Sequence, residues 1–265
     1  MDLPDRVDDH GSGYGETHTC PHHPDKHRQV LGDGTVRLLD LFCGAGGAAM
    51  GYHRAGFDEI VGIDNKHQPR YPFRFIQDDA FMYLQAHGHE FDVIHASPPC
   101  QRFSQAVKKQ HRGNHINWIS AVRWVLDAKG WCYVIENVPT AKHEMVGALT
   151  LCGSSFGLPI RRHRLFESSE SLDIPVCRHQ DFPAIYPPAW NRVNPLRVIS
   201  ISGGYQGGSI TLEDKRAAMG VDWDMNLREL SEAIPPAYTE HIGRQILDIK
   251  VTEDARAIHS TKQQS

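Results

Sequence analysis

The sequence predicts an α/β protein built on a mainly parallel sheet. Three observations carry that expectation. Short apolar runs alternate with helix-like segments from Val36 onward, the pattern of repeated βαβ units. Glycines stand where the helical segments should close, at Gly56 and Gly130. A glycine-rich turn, Gly44–Gly47, joins the first strand to the first helix.

In order, Val36–Phe42 reads as a strand, Ala48–Ala55 as a helix and Glu59–Asp64 as a second apolar strand. Arg74–Ile76 and Asp92–Ala96 are the third and fourth strands. Asn117–Lys129 is an amphipathic helix with Ile119, Val122, Val125 and Leu126 on one side, and Trp131–Val138 is a further strand. Beyond Phe166 the alternation fades into Pro, Ser, Gly and Asn. Helical character returns at Leu212–Met219 and Ala237–Ile249. The expected divisions are a polar extension over 1–34, a main α/β domain over 35–166, a small irregular region over 167–210, C-terminal helices over 211–250 and a tail over 251–265. No internal repeat is evident.

At 265 residues the chain can bury a sizeable core. No apolar run reaches membrane-spanning length, and the N-terminus lacks a basic-then-apolar leader. A cytoplasmic protein with six reduced cysteines is therefore expected. Net charge is −4, but it is unevenly spread. Acids crowd the first 34 residues, whereas Gln101–Leu126 holds Arg102, Lys108, Lys109, Arg112 and Arg123 without one acid. Such a run is either a solvated loop or a face for a polyanion. Cys20, His22, His23 and His27 match no strong zinc spacing, Cys177 with His179 is a weak pairing, and no metal is expected.

Two constellations carry chemistry. In Asp40-Leu-Phe-Cys-Gly-Ala-Gly-Gly47, a strand ends in a glycine turn and a helix follows, an arrangement that lets backbone approach a ligand. Asp64 ends the next strand, placed to accept from a ribose diol, so an adenosine-containing cofactor is expected. The turn lacks the G-x-G-x-x-G spacing of dinucleotide sites. The second constellation is Asp92-Val-Ile-His-Ala-Ser-Pro-Pro-Cys100. The prolines stop the strand and present Cys100 on a stiff loop, as nucleophile, metal ligand or ordinary thiol.

Read together, D-L-F-C-G-A-G-G, S-P-P-C-Q-R-F-S, I-E-N-V-P and R-R-H-R-L-F resemble the ordered motifs of DNA (cytosine-5) methyltransferases. The resemblance covers residues 36–166 and resumes from 211 to 247. It implies a class I S-adenosylmethionine-dependent methyltransferase (Rossmann-like) sheet, with 167–210 as target-recognition region. The implied reaction flips a cytosine from duplex DNA, adds Cys100 to C6 and methylates C5.

The resemblance implies a role for each residue. Glu136 grips the cytosine N3 and N4 edge, Arg164 its O2 side, and Arg162 is a companion. Asp40, Phe42, Cys43, Gly44, Gly46, Gly47, Asp64, Asn65, Asp79, Ala80, Pro98, Glu232 and Ala233 hold S-adenosylmethionine. Asn65 stands where the family often has an apolar cover for the adenine. Ser231-Glu232 replaces a Gly-Asn pair, which sets a carboxylate near that of the cofactor. Gln101, Arg102, Ser104, Lys108, Lys109, Arg112, Arg161, Arg192, Tyr205 and Gln206 contact DNA. Asn137 supports its own loop, which Pro139 stiffens, and Cys132 and Cys152 read as buried inert thiols.

Double-stranded DNA with a short cytosine site is the expected partner, with a cognate restriction endonuclease as a further candidate. A monomer is expected, in a bacterial or phage-infected cell and serving restriction-modification or phage modification. Three other readings compete with this one. The Cys-Phe-Thr signature of the family's tRNA branch is absent near the catalytic loop. Intact Cys100, Glu136 and Arg164 speak against an inactive DNA-binding relative. A thiol hydrolase using Cys100 with His95 or His163 leaves the glycine turn and Asp64 unexplained.

Overall fold

The computed structural model describes residues 35–99, 116–178, 199, 201 and 210–262. Seven strands form one sheet: β1 (Arg37–Leu41), β2 (Glu59–Asp64), β3 (Arg74–Gln77), β4 (Val93–Ala96), β5 (Tyr133–Asn137), β6 (Leu149–Leu151) and β7 (Arg164–Ser168). Their order is β3-β2-β1-β4-β5-β7-β6. The first five are parallel, with Leu39 facing Val61 on one side and Ile94 on the other. β7 runs antiparallel to β5, with Glu136 opposite Phe166, and β6 is antiparallel to β7. The sequence pattern ends its alternation near Phe166 and assigns no strand to either β6 or β7.

β1, β4 and β5 are near-continuous apolar runs because both faces of a central parallel strand are covered. On one face, Leu39, Leu41, Ile94 and Ile135 pack with α2 (Ala80–His87) and α3 (Trp118–Lys129), through Leu84, Ile119, Val122 and Leu126. On the other, Leu38, Val93 and Val134 meet Tyr52 of α1 (Gly47–Ala55) and Tyr238, Ile242 and Ile246 of α6 (Pro236–Lys262). Residues 251–262 thus continue α6, where a tail was expected. A third cluster sets Ala45 and Ile160 against Ala218 and Met219 of α4 (Leu212–Met219), Leu230 of α5 (Leu227–Glu232), Ile199 and Ile201.

Local signals set the helix ends. Asp79 caps α2, its Oδ1 accepting from the amides of Phe81 and Met82 at 2.9 Å. Asn117 caps α3, and Gly130 closes it with φ 61°. α1 and α6 pack closely because Gly51 has no side chain; a Cβ there would sit 2.0 Å from Thr239 Oγ1. That hydroxyl donates to the carbonyl of Ala48 at 2.8 Å. Among the described residues no helix is long and apolar enough to cross a membrane.

Candidate active site

A cleft of about 710 Å3 opens at the carboxyl ends of β1, β2, β4 and β5. The strand order reverses between β1 and β4, the switch point at which open α/β sheets bind ligands. Every residue of the expected cofactor set except Gly46 lines this cleft. Gly46 serves the turn instead: it precedes α1 with φ 87°, and a Cβ would lie 2.5 Å from Pro72.

The turn is strained at its first step, where Phe42 leaves β1 with φ 57°, a left-handed conformation that a bulky residue rarely adopts. Asp64 ties the two strand ends together. Its Oδ2 accepts from the Gly44 amide at 3.2 Å and its Oδ1 from the Lys66 amide at 2.9 Å. One lone pair on each oxygen is thus engaged by backbone and another remains for a ligand. Asn65 does not leave the cleft without an aromatic wall: Phe81 and Trp118 line it, 5.7 Å apart, with Phe42 6.4 Å from Trp118.

Asp40 is fully buried in the floor of the cleft. Tyr71 donates its hydroxyl to Oδ2 at 3.1 Å, while Oδ1 has no hydrogen-bond partner. Burial first, and the nearby charge of Asp64, push its carboxyl up to about 8, against the opposing Tyr71 hydrogen bond. At the cleft mouth Glu232 pairs with Arg228 at 3.2 Å, both exposed, which offsets the negative charge that the sequence placed near the cofactor.

On the other side, Pro98 and Pro99 line the cleft and lead to Cys100, which lies outside the described residues. Asn137 donates to the Pro98 carbonyl at 2.9 Å and accepts from the Val138 amide at 3.0 Å, so it braces this loop from β5. Glu136 Oε1 stands 3.1 Å from Arg164 Nε, which belongs to the antiparallel neighbour β7. Burial raises the Glu136 carboxyl above its ordinary value, while Arg164, Ser97 and Arg162 act in the opposite sense. His95 is buried behind this group, bridging Tyr52 at 3.2 Å and Ser97 at 3.0 Å. Burial lowers its imidazole to about 3, which makes it a weak proton acceptor.

Arg162 differs from the expectation. Its guanidinium does not line the cleft; it donates to the carbonyls of Ser231 and Ala233, both at 2.6 Å. It holds the α5–α6 loop against the site. Arg123, part of the acid-free run, is likewise engaged: it pairs with buried Glu167 and donates to the Glu144 carbonyl at 2.6 Å. Arg161 is exposed. The other expected DNA contacts, Gln101, Arg102, Ser104, Lys108, Lys109, Arg112, Arg192, Tyr205 and Gln206, lie outside the described residues.

Sequence reasoning missed Tyr71, Phe81, Ser97, Trp118 and Arg228. Ser97 could have been found from its place between β4 and the prolines, and Trp118 from its place at the start of an amphipathic helix. Tyr71 sits outside any regular element and had no such signal. Cys152, read as inert, is not isolated: its sulfur lies beside His163 and Cys177.

The sheet order and its switch-point cleft define a class I methyltransferase fold. A structure of the S. pombe Dnmt2 methyltransferase shares it, with TM-score 0.53 and 14% identity over 81% of this chain and 98% of that one. Residues 36–152 match the family model of the C-5 cytosine-specific DNA methylases. Curated relatives include the Type II methylase M.HgiDII of Herpetosiphon aurantiacus, 25% identical over 75% of this chain and 63% of the relative. Another is the Type II methyltransferase M.HgiGI of the same organism, 29% identical over 40% of this chain and 94% of the relative. The chain thus spans under two thirds of the length of M.HgiDII.

Proposed function

We propose that this chain is an S-adenosylmethionine-dependent DNA (cytosine-5) methyltransferase acting on a cytosine flipped from duplex DNA. The observation that carries the reading is one cleft in which the Gly44 turn and Asp64 face the Glu136–Arg164 pair, beside the backbone that enters Cys100. The cleft residues fit the cofactor. An aromatic wall suits an adenine, Asp64 retains acceptor capacity for a diol, and the buried Asp40 Oδ1 is left without a partner for a polar group of the ligand. When bound, S-adenosylmethionine supplies the electrophilic methyl group.

The remaining steps belong to the chain's own residues and the base. The Cys100 thiolate adds to C6, and the electron pair of the C5–C6 bond becomes available at C5. Glu136, biased toward its neutral form by burial, donates or holds the proton at N3 and so eases that addition. Arg164 orients the Glu136 carboxyl and reaches the O2 side of the base. After methylation, loss of the C5 proton and departure of the Cys100 thiolate restore the aromatic ring. Arg162 acts as a positioning residue through the α5–α6 loop.

The Type II names of the relatives support a modification role beside a cognate endonuclease. The proposed setting is the cytoplasm of a bacterial or phage-infected cell, with the chain acting as a monomer. The test compares radioactive methyl transfer to duplex DNA and to tRNA. Label in DNA, with denaturation-resistant trapping on 5-fluorocytosine DNA, is expected; label in tRNA alone overturns the reading. Cys100→Ser should abolish turnover while keeping cofactor and DNA binding, and substantial residual turnover refutes the assigned nucleophile.

A further inference from the structure

Cys152, His163 and Cys177 come from three separate stretches: the residue after β6, the residue before β7 and the segment that leaves β7. Their two sulfurs and one ring nitrogen lie within 4.8 Å of one another. His163 Nε2 is 3.5 Å from Cys177 Sγ. Ser154 donates its hydroxyl to Cys152 Sγ at 3.2 Å and lies 3.7 Å from Cys177 Sγ. The Arg178 amide donates to that same hydroxyl oxygen at 3.1 Å. Cys152 is fully buried, and the other two are half-buried.

We propose that these three side chains bind one Zn2+ ion. The donor set decides the metal: two thiols and an imidazole suit a borderline-soft ion, and the cluster has no carboxylate that would favour Ca2+ or Mg2+. The spacing agrees. Zn–S of about 2.3 Å and Zn–N of about 2.0 Å at a tetrahedral angle put neighbouring S and N atoms roughly 3.6 Å apart. The His163–Cys177 separation is 3.5 Å. Ser154 supplies the outer hydrogen bond that orients a ligating sulfur. Binding displaces the two thiol protons to solvent and leaves a fourth coordination position for a ligand beyond these three.

The position gives the ion a purpose. It would lash Cys177, within the expected recognition region 167–210, to the turn before β7. That turn carries Arg162, which holds the α5–α6 loop, and leads into Arg164, which holds Glu136. The metal is therefore structural, tying Cys177 to the turn that leads into the Glu136–Arg164 pair. This assignment does not depend on the proposed methyl transfer.

The test uses the full-length chain, reduced and stripped of metal under anaerobic conditions, then titrated with Co2+. One equivalent should give thiolate-to-cobalt charge-transfer absorption and the intense visible bands of a tetrahedral site, both bleached by Zn2+. Because Cys152 is fully buried, the half-buried Cys177 carries the mutational arm. Cys177→Ser, shown folded by its cooperative thermal transition, should lose about half of the charge-transfer intensity and bind Zn2+ at least 10-fold more weakly. No charge-transfer band in the reduced wild type, or equal Co2+ binding by Cys177→Ser, overturns the proposal. A Cys152–Cys177 disulfide in the purified protein with no metal uptake after reduction also overturns it.

Discussion

Replacing Asp40 by Asn should change how stability depends on pH, with a sign and size fixed by its burial. The folded carboxyl is pushed up from 3.8 to about 8, chiefly by burial. Between those values the folded chain keeps a proton that the unfolded chain has released. Stability contributed by this group is therefore intact at the acid end and declines as pH rises, by about 1.4 kcal/mol per pH unit. Between about pH 5.5 and about pH 7.0, both inside the window, the loss is about 2 kcal/mol. The amide introduced by Asp40→Asn does not titrate, and its oxygen can still accept the Tyr71 hydroxyl that reaches Asp40 at 3.1 Å. Urea unfolding of both proteins at the two pH values isolates the effect, because shifts at all other groups cancel in the difference. Asp40→Asn should gain about 2 kcal/mol relative to wild type at the higher pH. A difference that stays constant with pH refutes the buried, protonated carboxyl.

Three further outcomes follow from the site and its supports. If Glu136 serves N3 as proposed, Glu136→Gln removes that proton, and methyl transfer should fall by roughly 10^2–10^4-fold while isothermal titration finds cofactor affinity nearly unchanged. Asn137→Ala leaves the Pro98 carbonyl and the Val138 amide without their partner. It should cost about 1–3 kcal/mol in urea unfolding and lower kcat more than it raises KM. Gly51→Ala drives a methyl group into Thr239 and the Pro236 carbonyl, 2.0 and 2.2 Å away, separating α1 from α6. A loss of about 1–3 kcal/mol is expected from overpacking, read as a lowered Tm.

The parallel core was legible because β1, β2, β4 and β5 are buried on both faces and so stand out as apolar runs. α2 was hidden because Phe81, Met82 and Tyr83 are consecutive and do not form a stripe, leaving Met82 exposed. β6 has only three residues, and its antiparallel pairing with β7 is a tertiary fact that no local period encodes. The same limit applied to side chains. Glu136 and Arg164 were found through their motifs, but that they touch depends on the β5–β7 register. Arg162 resembled Arg164 in sequence, and residues two apart share a face within a strand, but β7 begins only at Arg164, so Arg162 is not bound to that face. The Cys152–His163–Cys177 grouping crosses a β-hairpin and had no spacing to betray it.

The packing of the glycine turn also bears on how the molecule is made. Gly47 abuts the Ile234 carbonyl, the Trp223 indole donates to the Ala45 carbonyl at 3.0 Å, and Gly51 abuts Thr239. Near the start of the sheet, the turn gains its second wall from residues almost two hundred positions later. A nascent chain therefore emerges from the ribosome with its first strands ready to pair but its cleft still one-sided. Closure waits for α6, a long loop search that slows the final folding step. Any chain broken off before Ile234 would keep Pro98 and Pro99 and yet lack the second wall of the cleft that they line.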